Sequence, residues 1–219
     1  MEWISILVRV LIYCAGLMSL ALGVVFSVNS NLGVSPVNSL PYVVSRISGV
    51  DMGKCVTMVF ACYIVVQILL LRKDFQWINL TQILFSTLFG YFVNFAKWIL
   101  GDFSIPTYPG KLLMLAVSIL FVAAGVCLYM DVKLVNMSME GMTHAINQKL
   151  LPRLAFHDVK VIMDCLVVAV GIGLSLVLAG KVEGIREGTV LCAILVGKIM
   201  KPLQKVLQPA INKLCFAEN

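Results

Sequence analysis

The chain has 219 residues, 60% of them hydrophobic and only 13% charged, with a mean hydropathy of +0.98. Soluble domains carry roughly 45–50% apolar and about 25% charged residues, so this chain has too few polar side chains to cover a water-facing surface. The net charge of +6 does not imply nucleic acid, because Lys and Arg fall in short clusters between apolar runs, as topology signals do.

A bilayer is therefore the expected solvent, and each crossing takes about 20 apolar residues. Residues 10–28 form the first predicted span, closed by Asn29, Ser30 and Asn31. It does not read as a cleaved signal peptide. The run is too long, carries Arg9 near its start and lacks a small-x-small site. Residues 33–49 are too polar to span and too apolar for an ordinary loop. Pro36 and Pro41 break the backbone, and Ser35, Asn38, Ser39 and Ser45 supply hydrogen-bonding groups, which predicts a short helix or re-entrant segment.

Residues 55–71 form the second span, closed by Arg72-Lys73-Asp74, and residues 80–100 the third. In the third, Gln82, Ser86, Gly90 and Asn94 recur at four-residue steps and share one stripe, expected to face another helix because apolar side chains suit lipid better. A Pro-containing loop at 102–110 leads to the fourth span, 112–130. A longer polar connection, 131–158, holds His144 and His157. Residues 161–178 form the fifth span, with Asp164 near its start. The sixth opens at Gly184–Thr189. Its strongly apolar part, 190–196, is short and runs into Lys198, Lys201, Pro202 and Lys205, so its end should lie amphipathically at the surface.

The chain also repeats itself. A shift of 102 positions lays Gly125-Val126 on Gly23-Val24, Leu134 on Leu32, Ser138 on Pro36 and Glu140 on Asn38, and slightly larger shifts lay Lys160 on Lys54 and Gly197 on Gly90. The expected fold is an all-α membrane protein of six transmembrane helices, a 3+3 inverted-topology repeat with short broken segments after helices 1 and 4. It forms one domain, with repeat A at 1–104, repeat B at 105–214 and a short tail. Lys and Arg favour one side by about two to one, which places both termini in the cytoplasm. An odd number of spans per unit makes the copies insert oppositely, an arrangement typical of secondary transporters.

The substrate-binding candidates are Ser35, Pro36, Asn38, Gln82, Asn94, Glu140, His144, Asp164, Thr189 and Lys201. Ser35 and Pro36 mark a broken backbone whose amides and carbonyls can meet a ligand. Asn38 matches Glu140, and Asn94 matches Lys201, so a pseudo-symmetric site would be electrostatically lopsided. Glu140 and Lys201 either pair, meet a charged solute, or are interfacial and solvated. Asp164 either neutralises Lys160 one turn away or relays protons, and His144 is a group that can titrate near neutral pH. Arg9 is expected to snorkel to the cytoplasmic surface, and Trp3, Trp77, Trp98, Tyr42 and Tyr108 to anchor span ends. The seven cysteines form no CxxC pair or Cys/His cluster and read as small buried hydrophobes, so neither metal nor cofactor is expected. No catalytic motif is present, and the chain does not read as an enzyme.

Gly33-Val-Ser-Pro36 followed by Asn38, Gly90 in the third span, and Gly188-Thr189 leading to Gly197 together resemble the YczE/YyaS/YitT-type bacterial membrane proteins. Val37-Asn38 and Arg186-Glu187 depart from the usual pattern of that family. The resemblance implies a six-helix, transporter-like protein of the bacterial inner membrane that exports small organic molecules. Its partners would be the lipid bilayer and a small-molecule solute, with no nucleic acid, and Gly-lined spans allow a homodimer. Two other readings stay open: a substrate-binding membrane subunit of a larger energised transporter, and a non-transporting regulatory protein.

Overall fold

The computed structural model describes residues 2–182 and 184–215; the side chains of residues 2–5, His157 and Lys201 lie outside the described ones. Trp3, His157 and Lys201, singled out above, are among them. The described residues form eight α-helices: α1 Glu2–Ser30, α2 Pro36–Ser48, α3 Met52–Leu71, α4 Thr81–Leu100, α5 Tyr108–Asp131, α6 Ser138–Lys149, α7 Phe156–Ala179 and α8 Glu187–Cys215. The order long, short, long, long thus occurs twice.

Among the described residues, five helices are long and apolar enough to cross a membrane: Ile6–Ser30, Met52–Asp74, Trp77–Leu100, Tyr108–Asp131 and Asp158–Ala179. The expected sixth, α8, is not among them. It is a long helix, but Glu187, Lys198, Lys201 and Lys205 interrupt its apolar stretch, and Pro202 and Pro209 lie within it.

The long helices α1 and α5 form the central pair. From Gly16 to Gly23 in α1, the facing residue in α5 runs backward from Tyr129 to Ser118, so the two helices are antiparallel. They touch backbone to backbone. A Cβ at Gly23 would stand 2.7 Å from Val122 Cγ2 and 3.0 Å from Ser118 O, and one at Gly125 would stand 2.7 Å from both Leu20 N and Gly16 O. Hydrogen bonds cross the same seam, from Ser118 Oγ to Gly23 O at 2.6 Å and from Ser19 Oγ to Phe121 O at 2.9 Å. Lipid tails are as apolar as leucine, so close packing and such interhelical bonds hold membrane helices together.

Both central helices end the same way. Asn31 (φ 56°) and Lys133 (φ 53°), separated by the 102-residue shift, turn the chain through left-handed backbone into a short helix. Arg9 does not simply snorkel. Its guanidinium donates to Val132 O at 3.0 Å and Lys133 O at 3.1 Å, covering carbonyls at the C-terminus of α5, where a cation suits the helix dipole.

The short helices cross over. α2 packs on α7, and α6 packs on α3. The helix pairs that close each half differ. α3 and α4 meet where a Cβ on Gly90 would stand 2.5 Å from Gly53 O, and Asn94 Oδ1 accepts from Gly53 N at 3.0 Å. α7 and α8 barely touch, and a Cβ on Gly197, which the repeat lays on Gly90, would meet nothing within 4 Å.

Candidate functional site

The site is assembled from the first turns of α2 and α6. In α2, Pro36 occupies the first helical position, where its missing N–H costs nothing and its φ suits the helix. Asn38, two residues on, donates from Nδ2 to Ser35 Oγ at 3.0 Å. Its Oδ1 has no partner, and the residue is 2% exposed. Gly33 allows this entry into α2. Its φ of 120° favours glycine, and a Cβ would stand 2.6 Å from Thr189 Oγ1. The loop is also pinned to α8 by Gly188 N donating to Leu32 O at 2.7 Å.

In α6 the third helical position is Glu140, whose carboxylate suits a helix N-terminus. A glutamine pair fixes that turn. Gln67 Nε2 donates to Gln82 Oε1 at 3.0 Å and to Ser138 O at 3.1 Å, and the Ser86 and Ser138 hydroxyls lie 2.9 Å apart. Gly141 leaves room for the pair, since a Cβ there would stand 2.7 Å from Gln67 Oε1. Glu140 is 8% exposed, and its Oε2 has no partner. Tyr129 lines the same cavity as Glu140. Burial pushes the Glu140 carboxyl above its usual range, against the pull of the nearby Lys160 ammonium.

Both first turns face one cavity of about 340 Å³. It lies against the central pair and runs between α7 and α8 down to Phe156 and Gln204. That is the Arg9 end of the molecule, since Gln204 Nε2 donates to Asp131 Oδ1 at 2.6 Å. Phe60, Phe89 and Tyr129 supply aromatic walls, and Lys160 and Asp164 line it as an ion pair at 2.6 Å. A smaller cavity of about 190 Å³ lies on the other side of the broken loop. Gly33 and Val34 line it, whereas Ser35 and Pro36 line the larger one.

The structure therefore brings Ser35, Pro36, Asn38, Glu140 and Asp164 together around one space. Four other candidates are engaged elsewhere. Gln82 positions α6, and Asn94 ties α4 to α3. Thr189 packs under Gly33. His144 stacks on Phe156 at 4.0 Å, and burial of the imidazole lowers its pKa. The tenth, Lys201, has a side chain outside the described residues, so its expected pairing with Glu140 lies there too. Tyr129, Phe60, Phe89 and Gln204 carry no signal in the sequence that separates them from packing residues. Lys160 does, because it sits four residues before Asp164 on a helix.

No curated protein and no solved structure matches the chain. The expected YczE/YyaS/YitT-type kinship and the exporter role find no named support among these comparisons. A family model does match, over residues 7–205, and the chain belongs to that family, the family of unknown function DUF6198.

Proposed function

We propose that this protein is a secondary transporter of a small organic solute, working by alternating access around the 340 Å³ cavity. One observation carries the reading. Two short helices at repeat-equivalent positions present an unpartnered buried oxygen to one cavity, Oδ1 of Asn38 and Oε2 of Glu140. On this reading the chain is a 3+3 inverted repeat, with α8 as the third crossing helix of the second unit. The antiparallel α1 and α5, whose contacts interchange under the 102-residue shift, support it. So do the left-handed turns at Asn31 and Lys133.

The mechanism follows from the inequality of the two halves. α3 and α4 are shut at Gly53 and Gly90, while their counterparts α7 and α8 stand apart at Gly197. Exchanging these roles closes the cavity at the Arg9 end and opens it at the other. The broken loop of residues 31–35, which lies between the two cavities, moves with α2. The Lys and Arg bias puts the Arg9 end in the cytoplasm, so the conformation described is the inward-facing one, in a cell membrane.

Reconstitution of the purified chain alone into liposomes tests this. Solute flux without partners supports the carrier. Tight binding with no flux under any gradient rejects it and favours a capture subunit.

A further inference from the structure

The cavity has a chemical bias that the transport reading leaves unused. Its two unpartnered buried side-chain atoms are the oxygens Asn38 Oδ1, an acceptor, and Glu140 Oε2, an acceptor when the carboxyl is ionised. Asn38 Nδ2 is already given to Ser35 Oγ, which leaves the Ser35 hydroxyl as a neutral donor beside it. Buried acceptors without donors are costly, and a solute that supplies N–H groups removes that cost. An acceptor-only solute would set lone pairs against lone pairs.

Charge points the same way. Among the described side chains, three charged groups line the cavity: Glu140, Lys160 and Asp164. Lys160 and Asp164 satisfy one another at 2.6 Å, so Glu140, which burial pushes toward its neutral form, is held as a carboxylate when a further cation comes to it. Phe60, Phe89 and Tyr129 also line the cavity and give an organic body an apolar wall. The volume of about 340 Å³ is at the small end of ligand sites.

We propose that the solute is a small organic cation with N–H donors on an apolar body, an amine or guanidinium compound, bound between Asn38 Oδ1 and Glu140 Oε2. The inference rests on the reading of this cavity as the solute site. It specifies a ligand whose binding is measurable whether or not the protein transports it.

Calorimetric titration of the full chain in nanodiscs with three size-matched probes tests it: benzylguanidinium, benzyl alcohol and benzenesulfonate. The cation should bind about tenfold or more tighter than the alcohol, in line with a charge-assisted hydrogen bond, and the sulfonate should bind weakest. Glu140→Gln, with an unchanged melting midpoint, should remove that preference, and Asn38→Leu should weaken cation binding in proportion. Equal binding of cation and alcohol, tighter binding of the sulfonate, no binding of the cation at millimolar concentration, or a preference that survives in Glu140→Gln overturns the proposal. If Glu140→Gln melts early, Asn38→Leu and the wild-type probe order decide. Liposome flux separates the two readings. Cation binding without flux sinks the carrier and leaves this inference standing, whereas flux of benzenesulfonate but not of benzylguanidinium does the reverse.

Discussion

Replacing Gly125 with alanine tests the central pair most directly. The added Cβ would stand 2.7 Å from Leu20 N and from Gly16 O, and 3.0 Å from Leu20 Cα. All three are backbone atoms, so no side chain can swing aside. Most real Cβ contacts lie at 3.4 Å or beyond, so moving from 2.7 to 3.4 Å requires α1 to retreat by about 0.7 Å. That retreat also stretches the Ser118 Oγ bond to Gly23 O, now 2.6 Å. Overpacking of this kind costs about 1–3 kcal/mol, while alanine in place of a helical glycine gains up to about 1 kcal/mol. The net is a loss of between zero and about 3 kcal/mol. Gly173, inside α7 with nothing within 4 Å of an added Cβ, is the control. There only the gain applies, so the two variants should differ by at least about 1 kcal/mol. Unfolding midpoints of the purified proteins read the difference, at roughly 2–4 °C per kcal/mol for a chain of this size. If Gly125→Ala melts at or above Gly173→Ala, the helices are not in backbone contact there, and the antiparallel seam is misplaced.

Other substitutions probe the broken loop, the α6 anchor and the pairs α3–α4 and α7–α8. Gly33→Ala should lower the melting midpoint more than Gly49→Ala. Both have positive φ, but only at Gly33 does the Cβ meet Thr189, adding about 1–3 kcal/mol; equal losses would refute the contact. Gln67→Leu strips Ser138 O and Gln82 Oε1 of their donor and should cost about 1–3 kcal/mol, measured by denaturant titration; a neutral result would show that α6 is not held there. If the protein is the carrier proposed, Gly197→Leu should fold normally and stop flux by filling the gap between α7 and α8. The same change at Gly90 should destabilise the protein, because Gly53 and Thr57 leave no room. Unimpaired flux in folded Gly197→Leu would refute the exchange of helix pairs.

Membrane class, helix count to within one, the short segment after each central helix and the shift of 102 all lie in the sequence itself. Each of them rests on runs of neighbouring residues: a long apolar run must be a helix in lipid, and Pro36 must interrupt one. The stripe on α4 was legible for the same reason, since four-residue spacing puts Gln82 to Asn94 on one face. What that face does was not. Gln82 and Asn94 read as ligand groups, yet they bind α6 and α3, because the partners Gln67, Ser138 and Gly53 come from other helices. The apolar content of α8 stayed ambiguous, since its lysines recur at helical spacing and only its packing says how it lies.

Sequence alone set Asn38 opposite Glu140 as equivalents. Only the tertiary structure decided that both face one cavity, that Tyr129 and Lys160 join them, and that one half is shut where the other gapes. Those outcomes depend on how antiparallel helices from distant parts of the chain approach one another, to within a fraction of an ångström at Gly16, Gly23 and Gly125. A hydrophobic pattern encodes which face of a helix is turned inward, but it does not encode which atoms wait on the other side.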